Sequence, residues 1–146
     1  MPAKTTVQRA KEDLREGKSP TTAAGEFVHE EIEHVRRGKH GARSPQQAIA
    51  IGLSQARRAG VPLPPPARGK AKEKTRQSAE RAYRKGQIGA RKPRRKYSRI
   101  REEVLKREPR STASRKALSQ QARTAARRRK PASSTTGRRT STRKAA

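Results

Sequence analysis

The sequence predicts an all-α protein, in which a small three-helix module at the N-terminus precedes a basic, largely disordered tail with marginal helices. In the first part of the chain, apolar residues recur every three or four positions, which is typical of amphipathic helices. Two of these stretches begin at Ser-Pro, and all three end at glycine. Beyond residue 66, large apolar side chains become rare and the charge becomes strongly positive.

The first helix is predicted over about residues 6–16, because Val7, Ala10 and Leu14 share one face and Gly17 can end the helix. The second begins at Ser19-Pro20, where a serine cap is followed by proline at the first helical position. It is expected to continue to Arg37, before Gly38. Its apolar stripe consists of Ala24, Val28, Ile32 and Val35, with Phe27 beside it.

The third helix is predicted to begin at Ser44-Pro45, and Gln47 has the spacing of a capping box with Ser44. Gly60 ends this helix, and Val61 is placed to make the apolar contact of a Schellman motif. The expected core-facing residues are Ile49, Leu53 and Ala56, with Ile51 to one side.

Four prolines, at positions 62, 64, 65 and 66, follow this module and predict a stiff polyproline II spacer. We therefore divide the chain into a head (residues 1–66), a basic region with marginal helices (residues 67–130) and a disordered basic tail (residues 131–146). The head has a net charge of +4, and residues 67–146 have a net charge of +24. The head is marginal as an independent domain, so two hypotheses stay open: a homodimer through the head, or tightening on binding.

Three stretches of the basic region favour helix weakly. Residues 71–85 have a thin inner face of alanines and Tyr83. Residues 98–107 have a short apolar stripe and two i,i+4 ion pairs, and residues 114–130 have little apolar surface around Leu118. The stripe of residues 98–107 consists of Ile100, Val104 and Leu105, and the expected pairs are Glu102–Lys106 and Glu103–Arg107.

Composition excludes several classes of protein. The chain has 146 residues, with 40 Lys and Arg against 12 Asp and Glu, and a formal net charge of +28. Leu, Ile, Val and Phe make up about 11% of it, well under the roughly 20% below which a highly charged chain is expected to be largely disordered. So few large apolar side chains cannot build the core of an ordinary enzyme. We therefore expect no enzymatic activity, no catalytic residue and no cofactor. Cysteine is absent, which excludes disulfides and cysteine metal sites.

No membrane segment is expected either. The longest apolar stretch, Ala48 to Leu53, has six residues, against the roughly 20 that span a bilayer. The N-terminus has no apolar segment after its charges, so we expect no secretory signal. These observations predict a cytoplasmic protein whose partner is a polyanion, with nucleoid localisation if that partner is DNA.

Clusters of arginine and lysine are the strongest functional feature of the sequence. Each side chain that meets a phosphate displaces condensed counterions, whatever the base sequence, and the arginine fork can hold two phosphate oxygens. The candidate nucleic-acid-binding residues are Arg57, Arg58, Arg91, Lys92, Arg94, Arg95, Lys96, Arg99, Arg127, Arg128, Arg129, Lys130, Arg138, Arg139, Arg143 and Lys144.

Recognition of specific bases has less support. Only Phe27, Tyr83 and Tyr97 are aromatic, so no stacking platform is expected. A minority hypothesis is a helix-turn-helix in which the third helix enters a groove. It would present Gln46, Gln47, Gln55, Arg57 and Arg58.

Two histidines of the second helix have the wrong spacing for a zinc protease. His29 and His34 are five residues apart, whereas a zinc-binding helix has histidines at i and i+4. We predict instead that Glu30 pairs with His34, and Glu33 with Arg37. His40, in the loop beyond, leaves open a weak adventitious metal site with His34, and no metal ligand is assigned.

One segment resembles a family of small, basic, mostly uncharacterised bacterial proteins. Its recurring signature here is Gln47-Ala48-Ile49-Ala50-Ile51-Gly52-Leu53-Ser54, followed by Ala56-Arg57-Arg58-Ala59-Gly60. The resemblance covers about residues 18–66 and includes residues 25–35 and 38–44. It implies a bacterial or phage origin and a histone-like or DNA-binding role, and it supplies no catalytic residues.

The leading hypothesis is thus a non-enzymatic, largely sequence-independent DNA-binding protein of the nucleoid-associated type. One alternative is a structural protein bound to RNA, as in a ribosome, whose basic extension orders on RNA. Another is an adaptor whose head binds a protein partner while the basic residues hold it near nucleic acid.

Overall fold

The computed structural model of the chain describes residues 2–89 and 95–129. For residues 95–98 it describes the backbone. Over these residues the protein contains six α-helices, one 3₁₀ turn and no strand, which confirms the predicted all-α class for this part of the chain. The helices are α1 (Lys4–Arg15), α2 (Pro20–Arg36), α3 (Pro45–Arg58), α4 (Glu73–Ile88), α5 (Arg95–Lys106) and α6 (Arg115–Arg129), with the 3₁₀ turn at Ser111–Ala113. The predicted disordered tail, residues 131–146, lies outside the described residues.

None of the helices described is both long and apolar enough to cross a membrane.

The starts of α2 and α3 are fixed by their serine caps. Ser19 Oγ accepts a 3.2 Å hydrogen bond from the backbone N–H of Thr22. Ser44 Oγ accepts one of 3.2 Å from the N–H of Gln47. The predicted capping box is incomplete, because the side chain of Gln47 accepts from the backbone N–H of Arg43 at 2.6 Å instead of from Ser44.

The end of α3 is the predicted Schellman motif. The N–H of Val61 donates to the carbonyl of Ala56 at 3.1 Å, and that of Gly60 donates to Arg57 at 3.2 Å. Gly60 has a φ of +95°, which glycine adopts without steric cost. The ends of α1 and α2 show the same pair of bonds around their own glycines.

The core between α1, α2 and α3 is built mainly from alanines around Phe27, which is completely buried. The buried stripe of α2 contains Ala24, Phe27, Glu31 and Val35. This stripe is rotated by about one residue from the predicted one, and the carboxylate of Glu31 occupies its middle. Val28 and Ile32, expected at the centre, are only partly buried.

Two glycines allow close helix crossings. A Cβ at Gly52 of α3 would meet the backbone of Val28 in α2, and a Cβ at Gly86 of α4 would meet the carbonyl of Arg57. The second crossing brings α4 onto the end of α3 and buries Ala79 and Ala82. The thin alanine face predicted for residues 71–85 is sufficient for packing, because the backbone of α4 contacts the backbone at the end of α3.

The proline run does not act as a free spacer between the head and the basic region. Val61 and Leu63 are buried in the core cluster. Arg57 Nε donates to the carbonyl of Leu63 at 3.1 Å, and a terminal nitrogen of Arg57 donates to that of Pro64 at 3.1 Å. The run therefore lies against the head, because buried apolar side chains and an arginine hold it there.

Helix α5 leaves much of its apolar face in solvent, since Ile100 is 49% and Val104 is 51% exposed. The predicted pair between Lys106 and Glu102 is present at 3.1 Å. The described ion pairs do not include the predicted Glu103–Arg107 pair.

The segment between α5 and α6 packs on the loop that follows α2. The N–H of Ala42 donates to the carbonyl of Pro109 at 3.1 Å, and Thr112 Oγ1 donates to the carbonyl of Ala42 at 3.0 Å. Arg36 Nε donates to the carbonyl of Ala113 at 2.9 Å, and Ala113 is 1% exposed. These contacts fix the point at which α6 begins.

Candidate functional site

Helix α6 concentrates positive charge more than any other helix whose side chains are described in full. Its sequence contains six basic residues and no acidic residue. All six are exposed, and none takes part in the ion pairs found among the described residues. They are Arg115, Lys116, Arg123, Arg127, Arg128 and Arg129.

Helix α4 provides the contrast, because its arginines face carboxylates on the same helix. A terminal nitrogen of Arg76 lies 2.6 Å from Glu73, and the other lies 3.6 Å from Glu80. Arg84 lies 3.2 Å from the same Glu80. The hydrogen bond from Arg76 lowers the pKa of the Glu73 carboxyl. Part of the charge of α4 is therefore neutralised within the helix.

The position of α6 is set by contacts with the head. Ser114 caps the helix, since its Oγ accepts from the N–H of Ala117 at 3.3 Å. Further along, Gln46 Nε2 at the start of α3 donates to Gln121 Oε1 at 2.7 Å. An open apolar groove, lined in part by Ile49 and Leu118, lies between the two helices. The cations of α6 are thus presented at a fixed place beside α3.

Apart from Arg57, the candidate residues identified from sequence fall into three groups. Arg99, Arg127, Arg128 and Arg129 are exposed on α5 and α6, and Arg58 is exposed at the end of α3. Arg95 and Lys96 lie in α5, with side chains that are not described. The remaining eight basic candidates outside α3 lie beyond the described residues: Arg91, Lys92, Arg94, Lys130, Arg138, Arg139, Arg143 and Lys144.

Arg57 does not belong to an exposed basic surface, contrary to the prediction. Its side chain lies in the interior, with the residue 7% exposed, and its guanidinium is hydrogen-bonded to the carbonyls of the proline run. Burial lowers the pKa of the guanidinium from its usual high value, although arginine stays charged in proteins. Arg57 therefore stabilises the fold, and we leave it out of the candidate interface.

The helix-turn-helix hypothesis also loses the glutamine side chains that would contact bases. Gln46 is bonded to Gln121, and Gln47 is used at the start of α3. Gln55 Nε2 donates to Glu31 Oε2 at 3.1 Å. The three glutamines expected to face a groove are therefore engaged within the protein.

A second cluster of polar groups lies beneath the loop after α2. Glu31 is 1% exposed, and His40 Nε2 lies 3.4 Å from its Oε1. The rings of His34 and His40 meet edge to face, with centroids 6.1 Å apart. Burial raises the pKa of the Glu31 carboxyl and lowers that of the His34 imidazole. Glu31 is not among the residues predicted from sequence, although its spacing of four from both Phe27 and Val35 places it on their face of α2.

The two ion pairs predicted for α2 are confirmed. His34 Nε2 lies 3.5 Å from Glu30 Oε1, and Arg37 Nε lies 3.5 Å from Glu33 Oε2.

Residues 3–67 match a family described as a family of unknown function (DUF6496). The match covers less than half of the chain, includes α1, α2, α3 and the proline run, and ends before α4. No curated protein and no solved structure matches the chain. The six-cation helix α6 therefore lies outside the matched region, and the family description assigns no activity to either part.

Proposed function

We propose that the protein is a non-enzymatic nucleic-acid-binding protein that contacts the phosphate backbone, above all of DNA, largely without regard to base sequence. The observation that supports this most is α6, where six exposed cations have no acidic partner among the described residues. Charges of one sign on one helix repel each other, and a polyanion relieves that repulsion. The chain's net charge of +28 favours the same class of partner.

The dimensions of α6 suit a duplex. Its 15 residues span about 22 Å, and duplex DNA has one phosphate charge per roughly 1.7 Å of axis. A helix lying along the duplex therefore meets more phosphates than it has cations, so the number of phosphates does not limit the contacts. Five of the six cations are arginines, whose forked guanidinium can hold two phosphate oxygens.

The head would act as a three-helix module that positions the cations. The segment before α6 is bonded to α2 and to the loop after it, so the charge of α6 is attached to a packed body. The exposed Arg58 and Arg99 add positive charge on α3 and α5. The basic residues of the tail, which lie outside the described part of the chain, would add further positive charge, and a DNA-compacting, nucleoid-associated role follows from such a combination.

Sequence-tolerant binding is favoured over base recognition. The glutamines of α3 are engaged within the protein, and the sequence has only three aromatic residues. Direct readout needs polar side chains that reach base edges, and single-strand binding needs stacked aromatic rings. Contacts to phosphate require neither.

A fluorescence-anisotropy titration of labelled duplex DNA at several salt concentrations tests the proposal. If about 6–10 phosphates are contacted, affinity falls by about 10³–10⁵-fold between 50 and 200 mM salt. Two duplexes of unrelated sequence should give the same affinity within a few fold. Affinity that is independent of salt would overturn the proposal, and stronger competition by structured RNA than by duplex DNA would assign the protein to RNA.

A further inference from the structure

Three potential metal ligands converge where α2 meets the loop that follows it. Glu31 and His34 are three residues apart on one face of α2, and His40 comes from the loop. One ligand atom from each of the three side chains lies within 4.8 Å of the others. The side chains of Glu31, His40 and His34 are 1%, 15% and 21% exposed, so the cluster is largely shielded from water.

One oxygen of the buried carboxylate has no hydrogen-bond partner among the described residues. Glu31 Oε2 accepts from Gln55, but Glu31 Oε1 accepts from nothing and faces the imidazole of His40. A buried acceptor left without a donor is costly, and a buried charge is normally paired or bound to a metal. The orphaned oxygen therefore marks a position at which a bound cation would be stabilised.

The orientation of His40 fits the same conclusion. Its Nδ1 lies 3.0 Å from the carbonyl of Gly41, and because a carbonyl only accepts, Nδ1 is the nitrogen that bears a proton. In the neutral imidazole, Nε2 then presents a lone pair, as in histidine ligands whose other nitrogen donates to a backbone carbonyl. Nε2 faces Glu31 Oε1 at 3.4 Å, so a metal ion bound here would be held by both atoms.

The separation of these two atoms matches shared coordination. Two ligands at about 2.1 Å from a tetrahedral Zn²⁺ lie about 3.4 Å apart. Two imidazoles and one carboxylate form a known ligand set for this ion, which completes its coordination with water. His34 sits one helical turn from Glu31. Because its Nε2 faces Glu30 at 3.5 Å, the other ring nitrogen of His34 would be the one that coordinates the metal, with Glu30 as the outer carboxylate.

We propose that Glu31, His34 and His40 bind one divalent transition-metal ion, with Zn²⁺ as the best match to the ligands. The ion would join α2 to the loop on which the segment before α6 packs. A small head with few large apolar residues would gain stability from such a cross-link, as other small domains do from structural metals. The metal site does not depend on the proposed nucleic-acid binding, and the two proposals are tested separately.

Calorimetric titration of the full chain with ZnCl₂, after treatment with a chelator and its removal, tests the site. The wild-type chain should bind one ion per chain with a rise in the midpoint of thermal unfolding. His34→Ala and His40→Ala should each weaken binding by at least about tenfold. His29→Ala is the matched control, because His29 is exposed on the same helix outside the cluster, and it should bind like the wild type.

Two results would overturn the proposal. One is absence of Zn²⁺ binding by the wild-type chain, which would leave His40 and Glu31 as a side-chain pair without a metal. The other is binding that His29→Ala weakens as much as the cluster variants do. If a variant fails to fold, imidazole resonances of the wild-type chain decide: Zn²⁺ must shift those of His34 and His40 and leave His29 unchanged, and any other pattern rejects the site.

Discussion

Arg36 donates a 2.9 Å hydrogen bond from Nε to the backbone carbonyl of Ala113, 77 residues further along the chain. The bond joins α2 to the 3₁₀ turn that precedes α6. Because Ala113 is buried, no water replaces the donor easily if Arg36 is removed. This contact makes the position of α6 depend on α2.

Replacement of Arg36 should therefore destabilise the protein. Arg36→Ala leaves a buried carbonyl unpaired, and we expect the free energy of unfolding to fall by about 1–3 kcal/mol in urea denaturation. Arg37→Ala is the matched control, because Arg36 and Arg37 both pair with Glu33, at 3.1 Å and 3.5 Å. The side chain of Arg37 is 71% exposed, so its replacement should cost less than about 1 kcal/mol. Equal losses in the two variants would show that the bond to Ala113 contributes nothing.

A second prediction concerns the adjacent arginines at the end of α3. Arg57→Leu removes both donors to the proline run and should lower the free energy of unfolding by about 2–4 kcal/mol, since two carbonyls lose their partners. Arg58→Leu should cost less than about 1 kcal/mol, because Arg58 is exposed and, among the residues described, its side chain bonds to Ser54 on its own helix. Thermal unfolding followed by circular dichroism compares them, and a smaller loss at Arg57 than at Arg58 would contradict the structure.

A third prediction uses two helical glycines with opposite surroundings. Gly86→Ala places a methyl group against the carbonyl of Arg57, so α4 must move, and we expect a loss of about 1–3 kcal/mol. Gly25→Ala in α2 meets no atom within 4 Å and should stabilise the protein by about 0.5–1 kcal/mol. Effects of the same sign in chemical denaturation would show that α4 does not pack on α3 through Gly86.

The ends of the helices could be predicted because they depend on neighbouring residues. The serine caps at Ser19 and Ser44 and the glycine that ends α3 act within one helical turn, so their spacing in the sequence was sufficient. The buried stripe of α2 was predicted about one residue off. Its centre is Glu31, and an apolar pattern cannot identify a buried carboxylate whose partners, Gln55 and His40, come from other parts of the chain.

Contacts between distant segments could not be predicted in the same way. The charge of α6 was evident from composition, but its attachment through Arg36 and Ala113 depends on a bond between residues far apart in sequence. Charged residues are mostly exposed, so nothing in the local sequence indicates that Arg57 is buried. Its burial follows from the return of the proline run over the end of α3, which the sequence pattern does not reveal.

The local charge of α6 can be separated from the total charge of the chain with two double variants. Arg123→Gln with Arg127→Gln removes two cations that have no described acidic partner, and Arg76→Gln with Arg84→Gln removes two that face carboxylates. Both double variants lower the net charge equally, so a difference between them reports where phosphate is contacted.

The decisive measurement is the slope of log affinity for duplex DNA against log salt concentration for these two double variants and the wild type. Loss of two phosphate contacts should reduce the magnitude of the slope by about 1.8 in the α6 variant, and the α4 variant should keep the wild-type slope. Equal slopes for the two variants, whether both reduced or both unchanged, would contradict a phosphate-binding role for α6.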